Sequence, residues 1–482
     1  MINSFGFQLE RSPALEWMRH VFDLGYNDLS LNLKTCMPYL GVFPQDCKIL
    51  KNSLLRRWIA EGSITGGHGD CQAEEIAEFN INELINRNMI QIDEFDDCGE
   101  VFSVRVHDLL LEYILLKSTE QNFITTINDK HSTKGSFEVR RLSLHVRDSE
   151  NCDVLASMAL TQARSFNLWG PAQWLPSLKK FRLLRVLHLD IFGSKDRRYD
   201  MPSVSSLFQL RYLRTRGISC KKLMRTQLRN LEQLRTLEVA VSEVEYFKLD
   251  PEMLPSTFDV GGVKQLAKLT NLRELKLYQC LRGGDEETCD VLLSSLCKLC
   301  NLRSLIIRGP FDLYRCPDFL ARWSPPPRYL RRLHVLACLF STVPSDFLAE
   351  LGNLSSLEIN VLSPQSDGAD VLARLTLLVH LTLHVESAPR EGVVVIRQCY
   401  EQGTRLSDGV LDGIEHLGSL DELKVDVFER EDFVSRFDEC AIIEKPNVEE
   451  HRRWEGESLE AALKEAISKH PGSSLRVVIQ TV

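Results

Sequence analysis

No apolar run in this 482-residue chain reaches the ~18 residues that a helix needs to cross a bilayer, so no membrane-spanning helix is expected. The opening stretch, MINSFGFQLERSPALEW, has neither a basic flank nor a continuous apolar core, and no secretory signal is expected from it. Basic charge is not in excess. Lys and Arg total 58 against 67 Asp and Glu, and the net charge of −9 is spread along the chain, which argues against general nucleic-acid binding. The sequence has no G-x-x-x-x-G-K-[ST] loop to cradle phosphates, and no apolar strand ending in carboxylates ahead of residue 20 to hold Mg²⁺. Nucleotide hydrolysis by this chain alone is therefore not expected. Cys297-x-x-Cys300 has no second pair and no His partner behind it, so zinc is not expected either.

What the sequence does have is a repeat. Residues 266–280, LAKLTNLRELKLYQC, carry Leu272, Leu275, Leu277 and Cys280 in the spacing L-x-x-L-x-L-x-x-C, the signature of a leucine-rich repeat. The pattern returns at Leu184/Leu187/Leu189, Leu210/Leu213/Thr215, Leu234/Leu237/Val239, Leu302/Leu305/Ile307, Leu330/Leu333/Val335, Leu354/Leu357/Ile359, Leu378/Leu381/Leu383 and Leu420/Leu423/Val425. Looser copies stand at Val139/Leu142/Leu144 and Ala163/Phe166/Leu168. The last two apolar positions of each copy alternate with polar ones, as a strand with one buried face must. One such unit cannot bury that face alone, but a stack of them can, and the stack is a curved solenoid. Cys338 falls in a patterned slot, and Cys297 and Cys300 fall in an apolar stripe. These cysteines read as small core residues in a reducing, cytoplasmic compartment.

Ahead of the repeats the period changes to that of helices. Residues 12–24, 28–42 and 51–61 each carry an apolar stripe, the second capped by Asp28 and the third stopped by Gly62. From Ala73 the residues Ile76, Ala77, Ile81, Leu84 and Ile85 continue a firm helical face. A hairpin over Ile90–Val106 and a helix capped by Asp108 complete a winged-helix pattern. A winged helix that reads DNA presents basic or amide residues to the groove. This one presents Glu74, Glu75, Glu78 and Glu83, so no nucleic-acid partner is expected. The expected layout is an α+β winged-helix domain with its preceding helix (1–117) and a linker (118–137). An α/β leucine-rich-repeat horseshoe (138–440) and a capping repeat (441–482) follow.

The order of these motifs resembles the C-terminal part of plant intracellular immune receptors of the nucleotide-binding leucine-rich-repeat family. LSLNLKTCMPYLGVFPQDCKILKNSLLRRWIAEG, ending at Gly62, is similar to that family's winged-helix segment, and Tyr26-Asn27-Asp28-Leu29 looks like its S-Y-D-D-L. Val106-His107-Asp108-Leu109 looks like its M-H-D motif, with Val for Met. The resemblance implies that His107 and Asp108 correspond to positions facing bound ADP. It implies ADP or ATP as a cofactor only where a phosphate-binding core, missing from this sequence, completes the site. It further implies a truncated receptor that recognises a pathogen effector or a guarded host protein, with a partner receptor possible. The residue-level alternative is that Asp108 is a helix cap and His107 simply ends the wing strand.

Residues between the patterned leucines should line the concave face and meet a protein ligand: Trp169, His188, Tyr212, Arg214, Arg216, Glu238, Lys276, Tyr278, Arg308, Arg332, His334, Glu358, His380 and Lys424. The basic start of this row, with Arg141 and His145, is expected to dock against the acidic helix carrying Glu74–Glu83. A second reading is a repeat-type substrate receptor of a ubiquitin ligase, which the wing hairpin and the VHDL motif disfavour. Catalysis is expected in neither.

Overall fold

The computed structural model describes residues 13–64, 70–95, 101–128, 138–147, 155, 158–192, 203–217, 228–240, 260–278, 286–308, 317–361, 371–372, 374–385, 398–400, 422–429 and 476–481. The chain divides into two compact units. The first runs to Leu237, apart from Met224–Thr226, and the second takes in Glu238–Val482.

The first unit opens with helix α1 (Pro13–Asn27). Its inward residues Phe22 and Tyr26 pack on Tyr113, at ring-centroid distances of 5.4 and 6.4 Å. Tyr113 donates its hydroxyl to Asp23 (2.8 Å), and Lys117 pairs with the same carboxylate (2.9 Å), so polar pairs flank the aromatic contact. Between residues 28 and 42, where one helix is expected from Asp28, the chain makes two short pieces. Helix α2 (Leu31–Cys36) is capped by Ser30, and a 3-10 turn (Pro38–Val42) follows. Pro38 has no amide hydrogen to continue an α-helix, and that ends the longer reading.

Strand β1 (Ile49–Leu50) leads into α3 (Lys51–Glu61), which stops at Gly62 in the left-handed region (φ 89°), as expected of a glycine there. Helix α4 (Asp70–Asn86) starts before Ala73 and buries Ala73, Ala77, Ile81 and Leu84. The wing is β2 (Gln91–Phe95) with β3 (Val101–Arg105), and β1 adds a third antiparallel strand to β3. Helix α5 (Asp108–Glu120) follows.

Of the expected linker over 118–137, the part up to Asn128 is corrected, while 129–137 lie outside the described residues. Residues up to Glu120 belong to α5, and Thr125–Asn128 form β4, which pairs in parallel register with β5 (Arg141–His145). This short strand has two threonines and one buried residue, Ile127, which is too little to show as a repeat in sequence. The parallel series continues through β6 (Ser165–Gly170), β7 (Val186–Ile191) and β8 (Tyr212–Arg216) in the register the repeat pattern demands: Leu142, Phe166, Leu187 and Leu213 lie side by side. Strand β9 (Thr236–Ala240) straddles the boundary between the units.

In the second unit, α6 (Val260–Leu266) precedes β10 (Glu274–Tyr278), α7 (Glu286–Leu296) precedes β11 (Ser304–Arg308), and α8 (Ser345–Ala349) lies between β12 (Arg332–Phe340) and β13 (Ser356–Val361). Strands β14 (His380–Val385), β15 (Gln398–Tyr400), β16 (Glu422–Glu429) and β17 (Arg476–Thr481) extend the parallel sheet. Leu275, Leu305, Leu333, Leu357 and Leu381 share one register row and are buried, which is the solenoid core that the pattern requires. Asn301 and Asn353 each donate to a carbonyl of the preceding turn, Thr270 (2.9 Å) and Arg328 (2.8 Å), and so tie neighbouring turns together. Cys338 is buried as expected. Cys297 is only half-buried and Cys300 is exposed, because Leu292, Leu296 and Leu299 take the inward positions instead. Cys280 and residues 441–475 of the expected capping repeat lie outside the described residues.

Candidate functional site

Helix α3 has apolar residues on one side and a second, polar line at Ser53, Arg57 and Glu61, each four residues from the next. Spacing of four keeps side chains on one helical face. Both sides are buried: Leu54, Leu55 and Trp58 in the winged-helix core, and Ser53, Arg57 and Glu61 against the concave face of the first repeats. Ser53 and Tyr212 share a hydrogen bond between hydroxyls (3.0 Å). Arg57 donates to Asn167 Oδ1 (3.3 Å) and to His188 Nδ1, while its guanidinium carbon lies 4.8, 5.5 and 5.8 Å from the ring centroids of Phe43, Tyr212 and Trp169. Glu61 forms an ion pair with Arg141, and its backbone carbonyl accepts from Arg185 Nη1 (2.7 Å).

The 3-10 turn beside α3 adds to this contact. The Val42 carbonyl accepts from Ser143 Oγ (2.6 Å) and His145 Nε2 (3.0 Å), and Tyr39 and Ser165 hydroxyls meet at 3.4 Å. Electrostatics reflect the burial. Desolvation pushes the Glu61 carboxyl up while Arg141, Arg164 and Arg185 pull it back. His188 is held well below its usual value by burial and then by Arg57 and Arg214, and His145 is pushed down to about 4 by burial. Since a guanidinium only donates, His188 Nδ1 accepts and its proton sits on Nε2, which is buried without a partner.

This arrangement corrects the expected ligand row at its start. Trp169, His188 and Tyr212 are 9, 2 and 1 % exposed, covered by the chain's own α3, and Arg214 and Arg216 are half-buried. It also corrects the docking partner. The basic start of the array does face the winged-helix domain, but Arg141 meets Glu61 of α3. The carboxylates of α4 are taken up locally: Glu74 by Arg56 (2.9 Å), Glu78 by Lys51 (2.7 Å) and Glu83 by Arg87 (3.3 Å). The apolar stripe expected over 51–61 gives Ser53, Arg57 and Glu61 no role. Their four-residue spacing was the available signal.

In the second unit the row behaves differently. Arg308 is exposed and donates to Glu358 (2.7 Å), whose carboxylate also lies 3.2 Å from His334 Nδ1. His334 Nε2 and Ser356 Oγ meet at 2.6 Å, and burial holds the His334 ring at about 4 despite Glu358. Glu238 is buried, which corrects its place among the ligand-facing residues, and its carboxylate lies 3.9 Å from Lys276. Tyr278, Arg332 and His380 are half-buried on the same strands, and Lys424 lies on β16.

His107 and Asp108 sit at the start of α5. His107, not Asp108, is the cap: its Nδ1 accepts from the Leu109 amide (3.3 Å), and Asp108 is the first helical residue. His107 is exposed, and its Nε2 makes no hydrogen bond among the described residues. That nitrogen fits a single contact to a phosphate supplied with another segment.

A family model described as a disease resistance protein winged helix domain matches residues 42–114, and one described as a leucine-rich repeat region matches 162–259 and 252–475. The chain belongs to the leucine-rich-repeat disease resistance proteins. Relatives include the disease resistance proteins RGA5, 28 % identical over 98 % of this chain, and Pik-2, 36 % identical over 84 %, both of Oryza sativa subsp. japonica. This chain spans under half of each, 47 and 46 %. Among solved structures, an internalin of Listeria monocytogenes covers 72 % of this chain and 92 % of its own at 14 % identity and TM-score 0.36, a likeness that carries no argument.

Proposed function

We propose that this disease-resistance chain is a recognition and restraint module. The later repeats meet a pathogen-derived or guarded host protein, and the winged helix, clamped on the first repeats, holds the receptor silent. The observation that carries the reading is the burial contrast along one kind of surface. The concave residues of β5–β8 are sealed by Ser53, Arg57 and Glu61, whereas Arg308 of β11 stands exposed beside the half-buried His334 and Glu358. Arginine and aromatic residues on a rigid concave scaffold are the usual anchors of protein recognition. The reading is non-catalytic and cytoplasmic, with no bound nucleotide unless a phosphate-binding core completes the site at His107. Ser356, His334 and Glu358 do stand in the order of an acyl-transfer triad. But Ser356 is 4 % exposed and its amide is bonded to the Arg331 carbonyl (3.0 Å), which supports a binding role over a chemical one. No described helix is long and apolar enough to cross a membrane.

The test is a graft. This chain replaces the corresponding half of the full-length rice Pik-2 protein, and the hybrid is expressed in leaves with and without Arg141→Glu. The clamped hybrid should be silent and the opened one should cause cell death. Equal silence, or equal death, at matched protein levels would refute the restraint.

A further inference from the structure

The seat of Arg57 is an unusual place for a cation. The side chain is 1 % exposed, and among the described residues no carboxylate pairs with it. Its charge is met by three ring faces, the Asn167 amide oxygen and the His188 ring nitrogen, and its Nε has no partner. Burying a guanidinium without a counter-ion is costly, and ring faces offset only part of that cost. A plain contact between two domains would be better served by an apolar residue at this position. What the array supplies is a shaped receptor. Trp169 and Tyr212 are walls, the Trp169 ring is itself held by His188 (4.6 Å) and His145 (5.2 Å), and Asn167 and His188 are acceptors at the base. One helical turn along α3, Arg141 and Arg185 receive the Glu61 carboxylate and carbonyl.

We propose that the concave face of β5–β8 is a binding site for an arginine-bearing helix of a partner protein, with R-x-x-x-E on one face, and that α3 occupies this site in cis as its resident ligand. The proposal deepens the restraint reading and rests on it. Trp169, Tyr212, Asn167 and His188 select a planar guanidinium. Lysine, a compact and strongly hydrated charge, cannot stack on two rings and donate to two acceptors at once. Arg141 selects the carboxylate one turn away, and Arg185 holds the backbone carbonyl of the same residue. A partner helix with these two residues takes the place of α3 and leaves the winged helix undocked. In cis the effective concentration of α3 is high, so a partner competes only when it binds tightly or when the cis ligand is weakened.

The experiment weakens the cis ligand. The full chain with Arg57→Ala is titrated with a fluorescent peptide of residues 51–61, KNSLLRRWIAE, and with the same peptide carrying Arg57→Lys. The expected result is at least ten-fold tighter binding of the arginine peptide, with that preference lost when Trp169→Ala is added to the chain. Guanidinium chloride at low millimolar concentration should raise the melting temperature of the Arg57→Ala chain saturably, where equal sodium chloride does not. Equal affinity of the two peptides, or no binding to a folded Arg57→Ala chain, overturns the proposal. Where Arg57→Ala does not fold, Arg57→Lys keeps a positive charge but leaves the guanidinium contacts unmade, and that chain is titrated with the same two peptides. Its discrimination, or lack of it, decides in the same way. A failed titration beside a leaf graft that still fires on Arg141→Glu removes the guanidinium site and leaves the restraint standing.

Discussion

Glu61, the last residue of α3, is ion-paired with Arg141, the first residue of β5, and the two side chains are 1 and 11 % exposed. A pair this deep is not a surface bridge that salt screens away. Removing one partner leaves the other buried and uncompensated, so Arg141→Ala should destabilise the first unit by about 3–5 kcal/mol. Replacing both with methionine should cost less than that single change, because no orphan charge is left. Denaturant midpoints at low and high salt check both statements. A single-variant loss under ~1 kcal/mol that disappears in salt would mean the pair is open to water.

Leu275 lies on β10 at the centre of the row shared with Leu305, and it is fully buried. Leu275→Ala should cost about 2–5 kcal/mol through lost burial and the cavity left behind. In a stack held by nearest neighbours, the loss should centre on adjacent turns. Hydrogen exchange should therefore accelerate first at Leu305 and Ile307, and much less in the winged helix. Uniform acceleration across both units would contradict a nearest-neighbour solenoid.

The solenoid was legible because its signal is repeated. Leu187, Leu213, Leu305, Leu333 and Leu357 need only a period, and the period recurs often enough to outweigh chance. The winged helix was legible from apolar stripes and from Gly62. What could not be read was which surface each exposed-looking residue would meet. Trp169 and His188 occupy the same slots as later outward residues, and nothing local distinguishes them. They are buried because α3, far away in sequence, lies across them. The charge pattern correctly placed the basic start of the array against the winged helix. It chose α4 over α3, because four glutamates on α4 outweigh the single Glu61 in any count by composition. Pairing inside the domain, Arg56 to Glu74 and Lys51 to Glu78, had already taken up part of that acidity.

Nucleotide binding by the isolated chain should be absent. The sequence has no phosphate-cradling loop, and backbone amides and a lysine supply most of that affinity in proteins that have one. His107 offers one ring nitrogen at an exposed helix start, its other nitrogen being bonded to the Leu109 amide. One exposed hydrogen bond contributes only about 1 kcal/mol, far from micromolar affinity. Calorimetry with ADP should show no heat above dilution. A micromolar constant that His107→Ala removes would overturn this expectation.

Stability of the first unit should fall between neutral pH and pH 4. His145 is held at about 4 in the folded chain, below the usual histidine value of about 6.5, chiefly by burial. Below the unfolded value, the unfolded chain takes up a proton that the folded chain refuses. Stability is therefore lost as pH falls through that window, and the loss levels off once the folded ring is also protonated. His188 is shifted the same way, by burial and then by Arg57 and Arg214, and adds to the loss. Glu61 works against them: its raised carboxyl favours the folded state as acid is added, which makes the net slope shallower. A shift of this size at one histidine corresponds to about 3 kcal/mol. The loss should therefore appear as a falling melting temperature between pH 6.5 and pH 4. His145→Gln keeps a donor toward the Val42 carbonyl and cannot take the proton, so it should flatten the curve while costing some stability at pH 7. A variant whose melting temperature falls with pH as steeply as the parent's would show that His145 is not among the groups responsible.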